Sequence, residues 1–233
     1  MSAPRRNAIV TVYGPKGSGK SRFLSDLVAR VPRVLTLDIT GEAREVYPSA
    51  LGPFFGLRDT LAALHRAAHF PGWHVIAALD DAEVPALFAR LVPRYDGRTR
   101  PLAAALGGIA VECGEVDMIA PSGRTPPEVL SAWRRGRHAG LSLFTATQRP
   151  AAAARDVSAQ ADVIASFQVS EPRDVAFIAD MMGSAAAEAV QTLPPYHAAV
   201  YTRRLAAVAL LDENRRAYRW LSLRGDVLED APA

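Results

Sequence analysis

The segment Gly14-Pro15-Lys16-Gly17-Ser18-Gly19-Lys20-Ser21 constrains this chain more than any other. Its glycines let the backbone turn tightly and aim several N–H groups into one small concavity. The apolar, β-rich run Ala8–Tyr13 precedes it, and Phe23, Leu24, Leu27 and Val28 follow at helical spacing. A helix opening here adds the positive end of its dipole to those N–H groups. The product is a cradle for phosphates. Lys20 is placed to reach β- and γ-phosphates, and the Ser21 hydroxyl to hold Mg²⁺. The phosphate-contacting set runs from Gly14 through Pro15, Lys16, Gly17, Ser18, Gly19, Lys20 and Ser21 to Arg22. The bare pattern arises by chance in roughly 1% of chains this long at average residue usage, and its strand–helix flanks lower that further. ATP and Mg²⁺ are therefore the expected cofactors. The loop alone establishes phosphate binding; it leaves hydrolysis and phosphoryl transfer to a metabolite both open.

Strand-like and helix-like segments alternate along most of the chain. Strands are expected at Ala8–Tyr13, Arg33–Ile39, His74–Leu79, Ile109–Cys113, Leu141–Thr147 and Val163–Val169. Helices are expected at Gly19–Arg30, Leu57–His69, Val84–Leu91, Pro126–Arg137, Ala151–Gln160 and Pro172–Met182. Gly41, Pro48, Gly52 and Pro53 mark an irregular connection. From Ala198 to Leu223 the pattern reads as two or three antiparallel strands around Asp212–Arg215. The alternation predicts an α/β fold, a mostly parallel sheet with helices on both faces. One domain over 1–233 is expected, with its core at about 7–183 and a short C-terminal antiparallel β extension at about 196–223.

Composition excludes several classes. Cys113 is the single cysteine, which rules out an internal disulfide and fits a reducing cytosol. No apolar run approaches the ~18–20 residues that span a bilayer, so the chain is expected to be soluble. Lys16 and Lys20 are the only lysines; every other fixed cation is an arginine. The arginines read either as the mark of a GC-rich genome or as groups selected for phosphate, and only position separates the two. The histidines have no metal-ligand spacing with Cys113, which argues against zinc. Cys113 reads as core packing, His138 as a helix-end residue and Trp133 as core or subunit interface.

A phosphate loop that hydrolyses ATP needs one carboxylate near Mg²⁺ and another to polarise water, at the end of a buried strand. Ile109-Ala110-Val111-Glu112-Cys113-Gly114-Glu115 supplies such an end. Further on stand Trp133-Arg134-Arg135-Gly136-Arg137-His138-Ala139-Gly140, then Thr145-Ala146-Thr147-Gln148-Arg149-Pro150, then Ser170-Glu171-Pro172-Arg173-Asp174. Asp38-Ile39-Thr40-Gly41-Glu42 follows the second strand. In this order the segments resemble the FtsK–HerA superfamily of ring-forming, DNA-translocating ATPases, over Ile9 to about Gly183. The resemblance implies a RecA-like P-loop NTPase fold. It implies that Glu115 polarises the attacking water and that Gln148 is a polar sensor of the γ-phosphate. It also implies that Arg137, or Arg134 one turn earlier, is an arginine finger acting on a neighbouring subunit. Gly114 departs from the pattern, because an Asp normally stands there. Mg²⁺ would then be held by Ser21, with Asp38, Asp117 or Glu112 as candidate helpers. Glu112 reads equally well as a structural buried carboxylate paired with an arginine.

The loops Pro93–Pro101 and Pro121–Pro127 carry Arg94, Arg98, Arg100 and Arg124. In a ring, such arginines would grip DNA phosphates without reading sequence; outside one they are solvated loop residues. The resemblance is strongest to minimal genome-packaging ATPases of tailless icosahedral viruses. It implies a homo-oligomeric ring, hexameric or pentameric, acting on DNA with capsid or membrane proteins of a virion as further partners. The expected location is the host cytoplasm or a packaging vertex. A filamentous-phage assembly ATPase and a host HerA-like DNA-processing ATPase are alternatives. So are a small-molecule kinase and a nucleotide-binding assembly protein whose hydrolysis is crippled by Gly114.

Overall fold

The computed structural model describes residues 7–94, 98–224 and 226–228. Along the chain run β1 (Ile9–Tyr13), α1 (Lys20–Val28), β2 (Arg33–Leu37), α2 (Ala43–Val46), β3 (Leu51–Phe55), α3 (Gly56–Ala67) and β4 (Trp73–Ala78). Next come α4 (Glu83–Leu91), α5 (Leu102–Ala105), β5 (Ile109–Cys113), α6 (Val116–Ile119), α7 (Pro127–Arg135) and β6 (Leu141–Thr147). The last stretch holds α8 (Arg155–Ala159), β7 (Val163–Ser166), α9 (Pro172–Met182), α10 (Ser184–Gln191), β8 (Ala198–Thr202), β9 (Ala207–Leu211), β10 (Ala217–Ser222) and β11 (Val227–Leu228).

All described strands form one sheet, in the order β11-β10-β9-β8-β7-β1-β6-β5-β2-β4-β3. From β3 to β7 every neighbouring pair is parallel; from β7 to β11 every pair is antiparallel. The mostly parallel α/β architecture with an antiparallel extension is thus observed. Strand β1 lies between β6 and β7, so the chain leaves it on one side and returns on the other. Ligands of open α/β sheets bind at such a switch point, beyond the carboxyl ends of the strands.

Alternation along β1 sets the layers. Ile9 and Tyr13 point into the larger core, which α3, α4, α7, α8, α9 and α10 cover; Val10 and Val12 point to the other face, against Phe23, Leu24, Leu27 and Val28 of α1. Each apolar side chain fully buried this way is worth about 1.5–3 kcal/mol. Helices do cover both faces, but unequally: α1 and the short α2 serve one face and nearly all the rest serve the other.

Several sequence expectations need correction. The irregular connection around Gly52 contains an edge strand, β3, whose Gly52–Pro53 bond is cis. Its Leu51-Gly52-Pro53 sequence carries turn residues, so propensity hid a strand that tertiary pairing with β4 imposes. The helix expected to run to Arg137 ends at Arg135, and Gly136–Ala139 is a 3₁₀ turn. The helix expected at Ala151–Gln160 is a 3₁₀ turn at Pro150–Ala152 followed by α8. Past Gly183 the chain makes another helix, α10, before the strands begin.

Candidate functional site

The Gly-rich loop joins β1 to α1 at the carboxyl end of the sheet. Gly14 N–H donates to the Thr147 carbonyl at 3.3 Å, which ties the loop's start to the end of β6. Gly14 has φ +149°, and a Cβ there would stand 2.7 Å from Ser18 Oγ and 2.8 Å from Phe167 Cβ, so no larger residue fits. Ser18 N–H donates back to the Pro15 carbonyl at 3.3 Å, closing the turn. Ser18 Oγ is buried and has no protein partner. Lys20 is buried and donates from Nζ to the Pro15 carbonyl at 3.0 Å, so its ammonium lies inside the loop's concavity. Burial pushes its pKa down, while the Glu115 and Asp117 carboxylates push it back up. Lys16 is exposed and meets Glu42 at 3.7 Å, a pair that contributes little.

The opposing wall comes from β5 and β6. Glu115 lies just past β5, and Gln148 just past β6, the strand between β5 and β1. Gln148 Nε2 donates to Glu115 Oε1 at 2.8 Å. Thr147 Oγ1 donates to Asp117 Oδ1 at 2.6 Å and accepts from Arg149 N–H at 2.9 Å. Gln148 thus holds the Glu115 carboxylate, whose charge acts on the buried Lys20. The sequence singled out Thr147 and Asp117 separately, but their tie depends on β5 and β6 being neighbours, which no local pattern shows.

Ser21, Asp38, Glu112, Gly114 and Glu115 line a single cleft. Asp38 Oδ1 already accepts from the N–H groups of Gly41 at 2.8 Å and Ala43 at 3.2 Å. Glu112 is buried on the α1 face, one pleat below Gly114. Burial pushes its pKa up to about 7, a Thr36 hydrogen bond pulls it down, and the Asp38 charge pushes it up again. Thr36 Oγ1 also lies 2.8 Å from His74 Nε2, and burial holds His74 down at about 4. Among the described residues no arginine pairs with Glu112. Its partner is a hydroxyl, which corrects the arginine-paired reading. A Cβ on Gly114 would meet nothing within 4 Å. No group of three or more His, Cys, Asp or Glu among the described residues could hold a metal by itself. Mg²⁺ commonly takes one or two protein groups, substrate phosphates and waters. The residues present fit that case: Ser21 would hold the ion, with Asp38 and Glu112 lining the same cleft.

The arginines fall elsewhere. Arg134 Nε and Nη2 donate to Asp156 Oδ1 and Oδ2 at 2.9 and 3.0 Å. Arg137 Nη2 meets Asp162 Oδ1 at 2.9 Å and the Gln160 carbonyl at 2.8 Å. Asp162 Oδ2 in turn accepts from the N–H of Ile9, the first residue of β1, at 2.8 Å. Arg137 therefore lies at the amino end of β1, about 17 Å of strand from Gly14, and it cannot serve this chain's own phosphate loop. Arg94, Arg98, Arg100 and Arg124 are exposed. Arg94 lies two residues beyond Val92, whose carbonyl accepts from Ser131 Oγ of α7 at 3.3 Å, and Arg100 Nη2 donates to the Ala104 carbonyl of α5 at 3.3 Å. Arg124 lies beside Ser122, whose N–H donates to Ala152 O at 2.8 Å, at the carboxyl end. Residues 95–97 of the first loop lie outside the described residues.

No protein-family model and no curated protein matches the chain. Solved structures do. The genome packaging NTPase B204 from Sulfolobus turreted icosahedral virus 2, in complex with AMPPCP, superposes with a TM-score of 0.68 at 23% identity, over 87% of this chain and 96% of that one. The pCW3 conjugation coupling protein TcpA superposes with a TM-score of 0.53 at 13% identity, over 84% of this chain and 58% of that one. The cytoplasmic domain of the Thermomonospora curvata type VII secretion ATPase EccC gives 0.53 at 14% identity, over 91% of this chain and 24% of that one. At these identities the likeness establishes the fold, that of a P-loop NTPase. No helix among the described residues is long and apolar enough to cross a membrane.

Proposed function

We propose that this P-loop NTPase is an ATP-driven DNA translocase of the FtsK–HerA kind, working as a homo-oligomeric ring that packages a viral genome. The reading rests on one observation above the others: Gln148 holds Glu115 at 2.8 Å, and the Glu115 charge bears on the buried Lys20 of the Gly-rich loop. A phosphate loop that only binds nucleotide has no need of a carboxylate and an amide poised there. The likeness to the genome packaging NTPase, which extends over 96% of that chain, supports the choice of function.

In this reading the loop N–H groups and Lys20 bind the β- and γ-phosphates. Mg²⁺, which Ser21 would hold, would supply positive charge against that of the phosphates. Glu115 orients and polarises the attacking water, while Gln148 fixes the Glu115 carboxylate and senses the γ-phosphate. The charge growing on the transferred group needs a further cation. Arg137 is too far from its own loop to provide it, which favours delivery to a neighbouring subunit. That delivery requires Arg137 to exchange Asp162 for the neighbour's phosphates.

The test is ATPase rate against protein concentration, with and without duplex DNA. Wild type is expected to gain activity with concentration and with DNA, and Arg137→Ala and Glu115→Ala to be inactive alone. Mixing the two variants should restore part of the activity. Activity that is independent of DNA and concentration but requires a metabolite would replace the motor with a kinase.

A further inference from the structure

The flank of the phosphate loop opposite Glu115 is built from the C-terminal extension. Tyr196 lies in the turn before β8, and its Cδ1 would be 3.3 Å from a Cβ on Gly19; Phe167 Cε1 would be 3.4 Å from the same point. Phe23 and Phe167 meet edge to face at 6.2 Å, and the Arg215 guanidinium lies 4.9 Å from the Phe23 ring centre and 5.6 Å from that of Phe167. Arg215 Nη1 donates to the Tyr196 carbonyl at 3.3 Å. The β9–β10 turn that carries Arg215 is stiff: Asp212 Oδ1 accepts from the N–H groups of Asn214 at 2.9 Å and Arg216 at 2.8 Å. The charged groups around Arg215 are Asp26, Arg22 and Asp212. A cleft of about 400 Å³ lined by Phe23, Asp26, Leu27, Asn214 and Arg215 opens alongside.

Two features distinguish this surface from ordinary packing. Tyr196 and Arg215 both have φ +64°, in the left-handed region. Such a conformation costs a side chain with a Cβ on the order of 1–2 kcal/mol, and where it persists it points to function. Tyr196, moreover, keeps 55% of its surface exposed beside the loop. A large aromatic ring held out under backbone strain, next to a planar cation, is a surface for a flat partner. This surface flanks Gly19, the last glycine of the phosphate loop.

We infer that Tyr196 and Arg215 form the wall against which the nucleotide base stacks. Stacking favours the larger purine ring system over a pyrimidine. The inference rests on the reading of Gly14–Ser21 as the triphosphate site. The C-terminal extension is then part of the catalytic unit, since it selects the nucleotide whose phosphates the central strands handle.

Calorimetric binding of Mg·ATP and Mg·tripolyphosphate to the full chain tests the assignment. Tyr196→Gly removes the ring and leaves the left-handed backbone unstrained, so its thermal midpoint should equal or exceed that of wild type. It should bind ATP about 10-fold more weakly, as expected for loss of one base-stacking ring, and bind tripolyphosphate as wild type does. Arg215→Lys keeps the charge and loses the planar face, and should show the same selective loss; Tyr196→Phe should bind ATP normally. Unchanged ATP affinity in Tyr196→Gly, or an equal loss for ATP and tripolyphosphate, would overturn the base wall. Wild type that binds tripolyphosphate but shows no gain from the base would overturn it while leaving the phosphate site intact. Wild type that binds neither would remove the phosphate site and the wall together.

Discussion

At the scale of single residues, the proposed mechanism separates binding from chemistry. Lys20 and the loop N–H groups are proposed to meet phosphate, whereas Glu115 and Gln148 meet each other at 2.8 Å. Glu115→Gln keeps a hydrogen-bonding side chain and loses the charge that polarises water. Its ATP turnover should fall about 10²–10⁴-fold, the range for a positioned acid–base group, with ATP affinity changed less than about 3-fold. Equal losses of rate and affinity would return Glu115 to a binding role. Gly114 has open space around it, so Gly114→Asp should fold normally and lower the Mg²⁺ concentration that half-saturates turnover. Glu112 gives a stability prediction. Its pKa rises from an ordinary 4.5 to about 7 on folding, so the folded state holds the proton more tightly. Stability is lost as pH rises through that window, by up to ~3 kcal/mol in protein free of nucleotide and metal. His74 moves the other way, gaining stability as pH rises from about 4 to 6.5, so the two nearly cancel below pH 6.5. Comparing melting temperatures of Glu112→Gln and wild type isolates the carboxyl: the variant's advantage should grow from pH 5 to pH 8.

At the scale of elements, α7 and its 3₁₀ extension carry the finger candidates to the sheet end opposite the phosphate loop. The sequence showed arginines at helical spacing there. It did not show that Asp156 and Asp162, both beyond β6, would hold them. A contact between residues 134–137 and 156–162 depends on strand order, and no local pattern encodes it. Asp162→Asn keeps the acceptor for the Ile9 N–H and weakens the hold on Arg137. The pair is part-exposed, so stability should change by less than ~1 kcal/mol. ATPase activity at subsaturating protein concentration should rise a few-fold, because Arg137 no longer has to leave a charged partner before it reaches a neighbour. A fall in activity with the same oligomeric state would mean that the ion pair positions the finger rather than competes with it.

At the scale of the whole molecule, the C-terminal strands belong to the P-loop fold and are not an appendage. Strand β8 continues the sheet from β7, next to β1, and Ala198, Val200, Ala209 and Leu211 share a core with Phe23 and Leu24 of α1. At about 1.5–3 kcal/mol for each larger buried side chain, removing residues 196–228 should cost more than the ~5–15 kcal/mol that holds a typical domain together. The truncated chain should lose its cooperative thermal transition, measured by circular dichroism. A truncated chain that melts like the intact one would show that the extension adds little. The sequence by itself determined what is local: the Gly-rich loop, the β–α alternation, and the strand ends that carry Glu115 and Gln148. Glycine geometry, side-chain periodicity and chemistry are written over a few consecutive residues. Tertiary structure alone decided the rest: that β3 is a strand, that Glu112 meets Thr36 and not an arginine, that Arg137 faces away from its own loop, and that Tyr196 stands beside Gly19. Each of these depends on which strands are neighbours, and neighbours are chosen by the packing of the entire sheet.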